Sequence, residues 1–168
     1  MTALLTGNPL VGKRALDIQR GVDLLSTRSD VDPQRISAFG KEKGTVPTLF
    51  AALLDGRIKK LVLEGMLVSY QSAVRHKIHR GLFEDVIVGV IKSFDLPDLV
   101  AAMSPRPVWI VNAADPLGHR VDQGESHTQY AIAQKSFKLA GAEGSLKISP
   151  RLTGVSFADS YNEWMKLR

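Results

Sequence analysis

The sequence predicts an α/β domain in which about four mainly parallel strands form one sheet flanked by helices. Short apolar runs alternate along the chain with segments whose apolar residues recur every three to four positions, the pattern of strand–helix units around a parallel sheet. No internal repeat, low-complexity tract or linker breaks this alternation. At 168 residues, with 44% hydrophobic and 23% charged residues, the chain is long and apolar enough for one core, so 1–168 reads as a single domain.

Taken in order, Ala15, Ile18, Val22 and Leu25 fall on one face of a helix over about 10–28, which the stretch DVDP at 30–33 ends. RISAF at 35–39 is the first strand, a helix over 46–54 follows, and KLVLE at 60–64 is the second strand. Residues 68–103 read as irregular and partly helical, with His76 and His79 spaced to share a helix face as solvated side chains. VWIVN at 108–112 is the third strand, with Trp109 in the core and Asn112, like Ser69, satisfying a strand end. Tyr130, Ala133, Phe137 and Ala140 share the face of another helix, and SLKI at 145–148 is the fourth strand. A closing amphipathic helix carries Phe157, Tyr161, Trp164 and Arg168 on one side.

The charge balance is +5 with a pI near 9.6, but the only dense basic run is RHKIHR at 75–80. It has no recognition helix, finger or aromatic ribonucleoprotein motif beside it, so it reads as a solvated face and no nucleic-acid partner is expected. No run reaches the ~18 apolar residues of a membrane span, and the first residues lack a secretory signal, so a cytoplasmic protein without a membrane partner is expected. The absence of cysteine removes disulfides, thiol catalysis and zinc-thiolate sites without identifying the compartment.

The chemistry concentrates at FGKEKG, residues 39–44, between the first strand and the next helix. A strand, a glycine-flanked turn and a helix present a serine in G-x-S-x-G hydrolases, yet here Glu42 holds that position between Gly40 and Gly44. A second group, Asp115, His119, Glu125 and His127, follows the third strand, at the sheet edge where parallel sheets bind ligands. The four could orient a general base, hold a metal through nitrogen and oxygen, or stand as plain surface residues; no H-E-x-x-H spacing supports the metal. Glu42 itself could cap the following helix or pair with a lysine instead of acting on a substrate.

DVDPQRI at 30–36, the elbow, LDGRIK at 54–59, SPRPVWIVN at 104–112 and Asp115-Pro116 together resemble the α/β-hydrolase superfamily, nearest to acetyl-xylan-esterase-like and dienelactone-hydrolase-like proteins. The resemblance runs from about Leu10 to the end and reaches only the C-terminal half of such an enzyme. It implies a three-layer fold without a cofactor, Asp115 as the carboxylate that orients a histidine, and the Lys43 backbone N–H as an oxyanion-hole donor. It also implies a histidine near 154–156, where none stands, so the usual serine and histidine are both missing. Ser156 lacks elbow glycines and a histidine near it in sequence. An Asp at the elbow serves as nucleophile in the haloalkane dehalogenases and epoxide hydrolases, which Glu42 resembles.

Two functions follow as expectations. One is a hydrolase of a small ester or lactone with weak or altered activity, using Glu42 as base or nucleophile and Asp115 paired to His119 or His127. The other is a non-catalytic binding or assembly scaffold. In both, the first strand is left as an open edge, and a homodimer is expected to cover it.

Overall fold

A computed structural model describes residues 6–166. Its sheet has four strands in chain order: β1 (Ser37–Lys41), β2 (Lys60–Glu64), β3 (Val108–Val111) and β4 (Leu146–Ser149). All three pairings are parallel, so the sheet is wholly rather than mainly parallel. β1 pairs with β2 alone, which leaves its other edge without a strand among the described residues.

The helices are α1 (Leu10–Thr27), α2 (Thr45–Leu54), α3 (Tyr70–Arg75), α4 (Leu96–Ala102), α5 (Gln123–Gln129), α6 (Ala131–Leu139) and α7 (Phe157–Lys166). Side chains alternate across a strand, and here that alternation sorts the apolar residues into two layers. Leu61, Leu63, Val108 and Ile110 join a core with Val11, Ala15 and Val22 of α1, Leu49 of α2, Val100 of α4 and Phe137 of α6. Val62, Trp109 and Val111 face the other way and pack with Tyr161 and Trp164 of α7, with Phe39 against them. This is the three-layer arrangement, with every residue of β2 and β3 buried.

The second layer is aromatic. The Trp109 ring lies 5.2 Å from Tyr161 and 5.7 Å from Trp164, and its indole N–H donates to Ser149 Oγ at 3.0 Å. Lys60, buried at the start of β2, donates through Nζ to the Trp164 carbonyl at 2.8 Å, so a cation satisfies a carbonyl in the last turn of α7.

The sequence-based boundaries hold to within about two residues, while several side chains are placed differently. Leu25, Ala140 and Phe157 are exposed, so the α1 face that is buried runs through Val11, Ala15 and Val22. Arg168 lies outside the described residues. His76 and His79 do not share a helix face: α3 stops at Arg75, and the two rings fold back onto its carbonyls, His76 Nδ1 at 2.8 Å from Ser72 O and His79 Nε2 at 2.6 Å from Ala73 O. No helix among the described residues is long and apolar enough to cross a membrane.

Candidate functional site

Three adjacent strands end in the same way. The residues after β1, β2 and β3 are Glu42, Gly65 and Asn112, with φ of 48°, 74° and 49°. Glu42 and Asn112 are the only non-glycine residues with positive φ among those described. Such backbone is unfavourable for an L residue, and it turns the chain abruptly at the carboxyl edge of the sheet. A cavity of about 670 Å³ opens there, lined by Glu42, Lys43, Asn112, Asp115, His119 and Arg120 among others. That volume lies in the range of small-molecule sites.

The elbow is a tight strand–turn–helix with a carboxylate at its tip. Lys41 leaves β1 extended, Glu42–Gly44 makes one tight turn, and α2 begins at Thr45. A Cβ on Gly40 would stand 2.8 Å from Thr45 Cα and 2.9 Å from the Gly44 carbonyl, so the helix can approach the strand only over a glycine. Gly44 meets nothing within 4 Å, so its own place is not dictated by packing. Thr48 Oγ1 donates to the Gly44 carbonyl at 2.6 Å, which ties the turn to the first turn of α2.

Glu42 is exposed, and its carboxylate neither caps α2 nor pairs with a lysine. Lys43 turns instead to Asp85, 3.2 Å away. Asp85 is almost wholly buried, and that burial pushes its carboxyl above the usual range although Lys43 opposes the shift. A Cβ built on Gly65 would lie 3.5 Å from Glu42 Cγ, so the Glu42 stem passes over the glycine that follows β2.

Asp115 and His119 come together. Asp115 Oδ1 accepts the backbone N–H groups of Leu117 and His119 at 2.8 and 2.9 Å, and Oδ2 faces His119 Nδ1 at 3.4 Å. Partial burial raises the Asp115 pKa, but the His119 and Leu117 amides and the His119 ring outweigh it and leave the carboxyl below its ordinary value. His127 is not brought to the cavity: it sits in the last turn of α5 with Nδ1 at 2.9 Å from Gln134 Nε2. Glu125 is exposed in the first turn of the same helix and also lies off the lining. No group of three or more His, Cys, Asp or Glu able to hold a metal occurs among the described residues. Ser156 is spoken for, bonding to Asp159 Oδ2 at 2.6 Å before α7.

Of two further cavity residues, Asn112 does more than the strand-end role read from the sequence, and Glu64 escapes that reading. Asn112 donates to Glu64 Oε1 at 3.5 Å and accepts from the Arg151 N–H at 3.2 Å, which links the ends of β2, β3 and β4. Glu64 is buried, with Arg151 Nε 3.5 Å from Oε1. A charged residue closing an apolar strand, as in KLVLE, was the one available signal for it.

No family model matches the chain. It is 30% identical over 105 residues to the "Putative hydrolase YtaP" of Bacillus subtilis (strain 168), a match covering 62% of this chain and 35% of that protein. Among solved structures, "a putative acetyl xylan esterase" from Bacteroides fragilis NCTC 9343 superposes with a TM-score of 0.68 at 19% identity, over 88% of this chain and 38% of the other. The glucuronoyl esterase from Solibacter usitatus gives a TM-score of 0.62 at 18% identity, over 93% and 47%. The chain thus spans about a third of the length of that relative and less than half of these structures. Its four parallel strands and their flanking helices are those of an α/β-hydrolase-like fold.

Proposed function

We propose that the protein hydrolyses a small ester or lactone in the cavity at the carboxyl edge of its sheet, with Glu42 and the Asp115–His119 pair as its working groups. The supporting observation is that Glu42 and Asn112, the two non-glycine residues of positive φ among those described, line one cavity together with that pair. Strain of this kind persists where surrounding structure imposes it, and it gathers at functional sites.

In this reading Glu42 accepts a proton from water as the water oxygen bonds to the ester carbonyl carbon. The Lys43 N–H, at the positive end of α2, meets the negative charge that develops on the carbonyl oxygen. Asp115 holds His119 through Nδ1, so in its imidazolium form the ring presents Nε2–H, which gives its proton to the departing alkoxide as the acyl C–O bond breaks; the proton taken by Glu42 then returns to the ring through water. A carboxylate is a weaker base than an imidazole, so slow turnover is the expected rate regime.

Aryl and alkyl acetates, butyrates and lactones test this. Turnover above buffer is expected, and His119→Ala should lower alkyl-ester hydrolysis on the order of 100-fold while sparing aryl esters, whose phenolate leaves without a proton. A folded, homogeneous wild-type protein inactive across the panel would sink the reading.

The edge of β1 that no strand of the described residues covers favours a second reading, a homodimeric scaffold without catalysis in which another copy pairs with that edge. Light scattering and the ester panel together test it: a dimer at micromolar concentration that turns over no ester is expected, and a monodisperse monomer removes it.

A further inference from the structure

Residues 74–91 run from the end of α3 past the mouth of the cavity, and they expose large apolar side chains in an unusual company. Val74, Ile78, Phe83 and Val88 are 73%, 71%, 64% and 75% exposed. Interleaved with them stand Arg75, His76, Lys77, His79 and Arg80, all exposed, and Lys92 follows. The acids of the span do not offset these cations. Glu84 is held by Arg14 at 2.7 Å, and Asp85 is buried against Lys43.

Single exposed apolar residues need no explanation, but several within one short cationic span suit a particular kind of partner. At an anionic lipid surface, apolar side chains enter the headgroup–acyl boundary while Lys and Arg meet the phosphates. A nucleic acid would use the cations and leave Ile78, Phe83 and Val88 in water. A second copy of the same segment would bring like charges together. We propose that residues 74–91 dock the protein on an anionic phospholipid surface. This proposal departs from the expectation from sequence of no membrane partner, because the described residues leave these apolar side chains exposed.

Arg80, Gly81, Leu82 and Asp85 of the same span line the cavity, so docking brings the cavity mouth to the lipid. Delivery of an acyl ester from the surface to Glu42 rests on the hydrolase reading; the docking itself does not.

The test is co-sedimentation of the intact chain with phosphatidylcholine vesicles, with and without about one-third phosphatidylglycerol. Sedimentation with the anionic vesicles is expected, and with the neutral ones much less. Each cation near the surface contributes roughly fivefold, so Arg75→Ser with Lys77→Ser should weaken binding on the order of 20-fold. Ile78→Ser with Val88→Ser should remove the part of the binding that survives high salt, with the circular dichroism spectrum unchanged. No sedimentation of the wild type, or equal sedimentation of both double variants and the wild type, would overturn the proposal. So would loss in the cation variant alone, since that is the behaviour of a polyanion site. Vesicle binding without turnover of any ester keeps this inference and removes the hydrolase reading; turnover without vesicle binding does the reverse.

Discussion

Replacing Glu42 with glutamine is expected to lower ester turnover by roughly 10² to 10⁴ while the melting temperature moves by no more than about 2 °C. Glutamine keeps the length and the positive φ of the elbow and removes only the proton acceptor. The melting temperature holds because the Glu42 side chain is exposed and caps nothing. Glu42→Gly should separate strain from chemistry. It relieves a φ of 48°, so it is expected to raise stability by on the order of 1 kcal/mol and to abolish turnover with the same stroke. Calorimetry and initial rates on the three proteins side by side give the answer. Turnover that survives Glu42→Gln removes the carboxylate from the mechanism, and a glycine variant less stable than the wild type removes the argument from strain.

Asp95→Ala is expected to cost about 3 kcal/mol and lower the melting temperature by roughly 6 to 12 °C, because one carboxylate starts two helices. Its Oδ1 accepts from the N–H of Tyr70 and from that of Leu96, each at 2.6 Å, and Oδ2 accepts from Gln71 at 3.0 Å. Those donors open α3 and α4, whose first N–H groups have no partner within their own helices. Asp98 closes the box by accepting the Asp95 N–H at 2.8 Å. Ser69 still serves Ser72 in α3 at 2.8 Å, so alanine at 95 loosens both helix starts without deleting either. Asp95→Asn keeps an acceptor oxygen but loses the charge that both helix dipoles favour, so about half the loss is expected. Thermal melts of the two variants check this, and a shift under about 2 °C for alanine would refute the double cap.

The strands were legible in the sequence wherever both faces are buried. Leu61–Leu63 of β2 and Val108–Val111 of β3 read as unbroken apolar runs because a parallel sheet covered on both sides leaves no polar face to alternate with. The α7 anchor was legible for a related reason: Tyr161 and Trp164 recur at helical spacing, and aromatic rings of that size are seldom left in water. The elbow could be read because close strand–helix approach demands a glycine, and Gly40 provides it.

The site was legible only in part, and the failures share a cause. His119 meets Asp115 because both lie in one short turn, whereas His127, eight residues further on, starts from a helix of its own and turns to Gln134. His76 and His79 were misread because their three-residue spacing means a shared face only if the helix continues, and α3 stops one residue earlier.

By itself, then, the sequence determined the alternation of elements, the two faces of the sheet and the glycine on which the elbow turns, since each follows from spacing and side-chain size within a few residues. Only the tertiary structure decided that Lys43 serves the buried Asp85 rather than Glu42, that Asn112 ties three strand ends together, and that Asp95 caps two helices. Apart from the bond from Leu96 to its neighbour Asp95, these contacts join residues 25 or more positions apart, and a polar group chooses among distant partners only once burial has fixed which of them water can no longer satisfy.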